Sequence, residues 1–149
     1  MEKKEIPEWI RHMEMIESIR LFSNLYTQKT PKGAFCTAQE VDALFRIELG
    51  HGSLSPYELS RQMGVSKPLV SRLLESLTEK ALVEKKASES DRRSYRLDLT
   101  VKGRETLEST YYYFIEPLER LEKKLGKDQC SELLRLIALA NTKNDSKQD

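Results

Sequence analysis

The stretch that most restricts the fold is LSPYELSRQMGVSKPLVSRLLESLTEKA, residues 54–81. Ser55 reads as a helix N-cap, with Pro56 at the first helical position and Glu58 placed to close a capping box. Gly64 ends that short helix, and Ser66 caps the next one at once. A link of Gly64 and Val65 is too short for the two helices to run antiparallel in comfort. In the second helix Val70, Leu73, Leu74 and Leu77 form an inward stripe, which leaves Lys67, Ser71, Arg72, Glu75 and Ser76 outside.

Two strand-like runs follow, LVEKK and YRLDL, separated by ASESDRRS. Tyr95, Leu97 and Leu99 alternate with Arg96 and Asp98, as in a half-buried strand. The loop between them gathers Arg92 and Arg93, with Arg96 just beyond and Asp91 and Asp98 on either side. Helix, tight turn, helix and hairpin is the order of a winged helix-turn-helix, so the fold class expected is mainly α with a small β-hairpin wing. A recognition helix must keep its core side and offer polar groups to a major groove. Ser66, Lys67, Pro68, Ser71 and Arg72 occupy the surface that would do so. Short hydroxyls permit close approach, and arginine can bond guanine through two donors. Arg92 and Arg93 at the wing tip suit a narrow minor groove, and Asp91 is placed to hold one of them. The bland alternative for the loop is a solvated surface with weak ion pairs. The helix-turn-helix in front of it favours DNA contact by Arg93, whereas Arg96, on the strand face of Asp98, reads as structural or phosphate-facing.

The flanks are helical. Residues 8–28 carry apolar side chains over an arc wider than one core contact needs, before Pro31 and Gly33 break the pattern. Thr37 and Glu40 have capping-box spacing for a helix ending at Gly50. Thr100 caps a long helix with a seam of Leu107, Tyr111, Phe114, Leu118, Leu121 and Leu125. Pro117 deletes the amide that would bond the Tyr113 carbonyl, so a kink is expected there. Gly126 separates a last helix over 127–141, with Cys130, Leu133, Leu134, Ile137 and Ala140 on one face. Residues 141–149 read as a frayed polar tail.

Composition narrows the function classes. The net charge of +1 hides an asymmetry. Residues 53–104 hold 11 Lys/Arg against 7 Asp/Glu, leaving the other residues 14 against 17. The basic middle is a modest hint of a polyanionic partner. No apolar run reaches the length of a membrane span and the N-terminus lacks a secretory core, so a cytoplasmic place is expected. His12 and His51 are the only histidines, and Cys36 and Cys130 lie far apart, so no metal site or cofactor is expected. No nucleophile–base pair, carboxylate dyad or phosphate loop supports an enzyme.

The pattern Asp-x-Arg-x-x-x-apolar-x-Leu-Thr-x-x-Gly is met by Asp91, Arg93, Leu97, Leu99, Thr100 and Gly103. With ELSRQMGVSKPLVSRLLESL it resembles the MarR family of bacterial transcription regulators. The resemblance implies a homodimer joined through N- and C-terminal helices, here residues 1–35 and 105–149. Residues 36–104 would form the winged DNA-binding lobe. It implies a repressor on a pseudo-palindromic operator of double-stranded DNA, released by a small aromatic or acidic effector. An effector pocket between the dimer helices and the DNA lobe would borrow Trp9, Phe22, Phe45 and Tyr112, although packing is the better reading of Trp9. Where the family usually has Gly after the recognition helix, this chain has Ala81. A left-handed Ala would cost about 1 kcal/mol, so a slightly different exit turn is expected.

Two alternatives stay open at this level. Cys36, in a loop before a cap, would support a redox-responsive regulator if it were exposed, whereas Cys130 on an apolar stripe reads as core. A winged scaffold can also serve as a protein-interaction module without DNA, although an intact wing argues against that.

Overall fold

The computed structural model describes residues 5–91 and 93–142. The elements are α1 (Glu8–Tyr26), α2 (Ala38–Leu49), α3 (Pro56–Met63), α4 (Lys67–Glu79), β1 (Val83–Ala87), β2 (Tyr95–Leu99), α5 (Val101–Leu125) and α6 (Lys127–Asn141). They fall into two compact units, residues 29–112 and residues 1–28 with 113–149.

The first unit is the winged lobe. Both expected capping boxes form. The Thr37 hydroxyl accepts the Glu40 amide, and the Glu40 carboxylate accepts the Thr37 amide. Ser55 and Glu58 do the same for α3. Gly64 leaves α3 in the left-handed region, φ +66°, where a residue with a Cβ is strained. β1 and β2 pair antiparallel with Val83 opposite Leu99 and Ala87 opposite Tyr95. Leu54 adds a single bridge to the hairpin, its carbonyl accepting the Leu97 amide at 2.9 Å. Leu44 and Ile47 of α2, Leu59 of α3, Leu74 and Leu77 of α4, and Leu97 and Leu99 of β2 close one core.

The turn out of α4 corrects the expectation of an altered geometry. Ala81 itself takes the left-handed backbone, φ +58°. Thr100 holds the turn from the other side, donating its hydroxyl to the Ala81 carbonyl at 2.7 Å while accepting the Gly103 amide at 2.9 Å. Gly103 is required by close approach. A Cβ built there would stand 2.1 Å from the Leu82 carbonyl oxygen. The Leu-Thr-x-x-Gly run thus welds the end of the wing to the start of α5.

In the second unit α1 buries none of its residues. α5 continues through Pro117, which is fully buried. The Tyr113 carbonyl orphaned by that proline accepts the Gln28 side-chain amide at 2.9 Å. Arg120 donates to the Leu25 carbonyl at 2.9 Å, satisfying one of the free carbonyls at the end of α1, and lies 5.4 Å from the Tyr26 ring. Ser18, Ile19 and Phe22 of α1 and Leu133, Ile137 and Ala140 of α6 line an open apolar groove.

Candidate nucleic-acid interface

The outer face of α4 is set by what grips its inner face. Val70, Leu73, Leu74 and Leu77 are buried. One buried carboxylate adds direction to that packing. Glu40 of α2 accepts from the Ser76 hydroxyl at 2.5 Å and from the Lys80 ammonium at 2.8 Å, one helical turn apart. Burial pushes the Glu40 carboxyl up, but the Lys80, Ser76 and Thr37 hydrogen bonds and the Lys80 charge outweigh it, and the net shift is downward. Ser76 is therefore not an outward residue. It turns toward the interior because a buried carboxylate must be supplied with donors.

Lys67, Pro68, Ser71 and Arg72 are exposed on the far side, and so is Ser66. The Ser66 hydroxyl accepts the Leu69 amide at 3.4 Å and so caps α4. Arg72 lies within reach of Glu75 and Glu79 in the helical period, yet its guanidinium has no ion-pair or hydrogen-bond partner among the described residues. Lys67 stands 5.1 Å from the centre of the Tyr57 ring, and Arg61 stands 5.7 Å from the same ring.

The wing divides its charges into paired and unpaired. Asp98 takes Lys86 at 2.6 Å and Arg104 at 3.0 Å, and Arg104 also reaches Glu48. The hydrogen bond from Lys86 is the largest of the influences that hold the Asp98 carboxyl below its usual range. Arg96 reaches back to Glu58 of α3 at 3.1 Å. Asp91 orders the turn through the backbone: its carboxylate accepts the Arg93 amide at 2.9 Å, and its carbonyl accepts the Ser94 amide at 3.2 Å. The Arg93 side chain is exposed with no partner among the described residues, and Arg92 lies outside them. Lys85 stands over the Tyr95 ring at 4.7 Å, on a groove shared with Ser71, Glu75 and Glu79.

The four aromatics expected at an effector pocket divide between the units. Trp9 is exposed, and Phe22 packs on Tyr26 with ring centres 4.9 Å apart. Phe45 is exposed on α2, and exposed Tyr112 stacks on Tyr111 at 4.1 Å. Cys36 departs from its expected exposure. It is buried, and burial, then the Glu40 charge, pushes its thiol up against the pull of Lys80 and Lys102. A protonated, shielded thiol is a poor peroxide sensor. Of the charges acting on it, Glu40 is near in sequence, but Lys80 after α4 and Lys102 of α5 are distant, which local sequence does not reveal. Cys130 is buried as its stripe implied. Among the described residues no three His, Cys, Asp or Glu side chains are grouped to hold a metal. No helix among them is long and apolar enough to cross a membrane.

Sequence reasoning passed over Tyr57 and Arg61. Their i,i+4 spacing was visible, but the approach of Lys67 depends on the turn between α3 and α4.

A MarR family model matches residues 37–94. The transcriptional repressor MprA of Escherichia coli K12 is 33% identical over 88 residues, which cover 57% of this chain and 50% of the relative. The chain thus spans about half the length of the curated relatives it matches. Among solved structures, a mutant MarR from E. coli complexed with operator DNA superposes with a TM-score of 0.61 at 22% identity, covering 88% of this chain and 90% of that one. The MepR–DNA complex of S. aureus gives 0.63 at 17% identity, covering 91% and 96%. A MarR transcriptional regulator from Methanosarcina mazei Go1 gives 0.69 at 22% identity, covering 90% and 94%.

Proposed function

We propose that this chain is a member of the MarR family that regulates transcription by binding double-stranded DNA as a homodimer, and that it acts as a repressor rather than an enzyme. The observation that carries this reading is the selective pairing of charge on the winged lobe. Lys80, Lys86, Arg96 and Arg104 are tied to carboxylates inside the lobe. Arg72 on the outer face of α4 and Arg93 at the wing tip are left without internal partners among the described residues. A cation without an internal partner is free to meet phosphate or a base edge. In this reading α4 enters the major groove, with Arg72 and Ser71 toward base edges and Ser66, Lys67 and Pro68 toward the backbone. The Asp91-ordered turn offers Arg93 to the adjacent minor groove.

Two lobes in a dimer would meet half-sites about one helical turn apart. The helices of the second unit supply the dimer contact, and the protein works in the cytoplasm. A small aromatic or acidic effector that favours a different spacing of the two α4 helices would release the DNA by population shift. The test is selection from a random duplex pool. A two-fold symmetric consensus supports the reading, and the absence of any enriched sequence refutes it. A protein-interaction role predicts that second result.

A further inference from the structure

We propose that Tyr57 is the platform of a phosphate clamp, holding Arg61 and Lys67 as one doubly charged contact for the DNA backbone beside the recognition helix. The inference rests on the DNA-binding reading above. To Lys67, already placed toward the backbone, it adds Tyr57 and Arg61 of α3, which the recognition helix and wing do not include.

Tyr57 is 52% exposed on α3. The Arg61 guanidinium, one turn along the same helix, stands 5.7 Å from the ring centre. The Lys67 ammonium comes from the first turn of α4 and stands 5.1 Å from it. Two cations from two helices therefore share one ring. Both chains are long, and in solution each would sample many rotamers, so ordering them on binding would cost entropy. The negative face of the ring narrows that search in the free protein.

No carboxylate neutralises the pair. Arg61 and Lys67 have no ion-pair partner among the described residues. Glu58, next to Tyr57 in sequence, is committed to the Ser55 amide at 2.7 Å and to Arg96 at 3.1 Å. Hydrogen bonding to Ser55, helped by the Arg96 charge, holds the Glu58 carboxyl below its usual range, so it stays ionised and engaged there. The cluster is thus a compact cationic spot joined to the start of α4. The first helix of a helix-turn-helix crosses the sugar-phosphate backbone when the second lies in the groove. A backbone phosphate is the anion that this geometry brings to Arg61 and Lys67. A clamp at the start of α4 would fix how far that helix enters the groove. Tyr57 acts through the two cations, so it is a positioning residue.

The test uses the full-length protein and a duplex from the selection experiment, with affinity read against salt. Y57F keeps the ring and should bind like the parent. Y57L keeps bulk but removes the ring and should weaken binding about two- to five-fold. R61A should lower the salt slope by roughly one. Y57L added to an R61A/K67A background should cost nothing further. The clamp is overturned if Y57L binds like the parent, if it costs as much without the two cations, or if R61A leaves the salt slope unchanged. Should Y57L lower the melting midpoint, the Y57F affinity and the R61A slope decide the question. A parent protein that selects no duplex at all would instead remove the DNA reading on which the clamp stands.

Discussion

In the winged lobe Ala43, Leu44, Ile47, Leu59, Leu77, Leu82 and Leu97 have no exposed surface, whereas α1 of the helical unit buries none of its 19 residues. The apolar content of α1 does not explain this. Trp9, Met13, Met15, Ile16, Ile19, Leu21 and Leu25 are each 45% or more exposed. A helix that is apolar over most of its circumference belongs in an interior. The lobe carries its own core and holds its side chains in place unaided. The helical unit presents apolar surface for which a second copy is the cover we propose. The first unit should therefore respond to substitution through stability, and the second through association.

The largest effect should come from the lobe. Gly103→Ala drives a methyl into the Leu82 backbone, which can move only by shifting the wing against α5. It should cost about 3 kcal/mol in urea unfolding, and a loss below about 1 kcal/mol would break the proposed weld. In the helical unit Ile19→Asp should leave the unfolding midpoint of the lobe unchanged. It should weaken self-association by about 2–3 kcal/mol, because a charge is placed where the partner is expected. An unchanged dimer in equilibrium sedimentation would move the interface away from α1.

Glu40→Gln tests the grip on α4. It removes the charge that Lys80 and Ser76 serve and should cost about 2 kcal/mol, somewhat less than a fully enclosed pair since Lys80 is partly exposed. The folded pKa of Glu40 lies below its ordinary 4.5. Its contribution is therefore complete above the unfolded value and disappears as pH falls through the folded one. Glu58 and Asp98 shift in the same direction. The parent should lose stability below about pH 4.5, and the variant should lose less over that window. An acid limb identical in the two proteins would exclude the role.

Arg93→Ala should weaken operator binding by about 1–2 kcal/mol with the fold and the dimer intact. Equal affinity in an anisotropy titration would remove the wing tip from the interface. The smallest effect is a gain. Ala81→Gly relieves a left-handed alanine and should raise stability by about 1 kcal/mol, with no change in self-association. A loss would mean that the Ala81 methyl contributes packing.

These outcomes also explain what could be read from sequence. Thr37, Ser55 and Ser66 act on amides three residues away, and the inward stripe of α4 is set by helical period alone. Both signals are local, and both survive in the fold. Ser76 turns inward and Cys36 is buried against their local pattern because Glu40, which Ser76 serves, and Lys80, whose charge reaches Cys36, are 36 and 44 positions distant. Ala81 shows the opposite failure. Its left-handed backbone is imposed by Thr100 and by the close pass of Leu82 over Gly103, so tertiary contacts override the preference of the residue itself. The candidate interface was legible where it is built from one helix and one loop. The Tyr57 cluster needed the α3–α4 turn in three dimensions.

The contrast between a self-sufficient lobe and an incomplete helical unit is tested most directly by sedimentation velocity on the full-length protein, alone and with a selected duplex. A dimer is expected in the absence of DNA and two chains per duplex in its presence. A stable monomer in solution, or one chain per duplex, would contradict it.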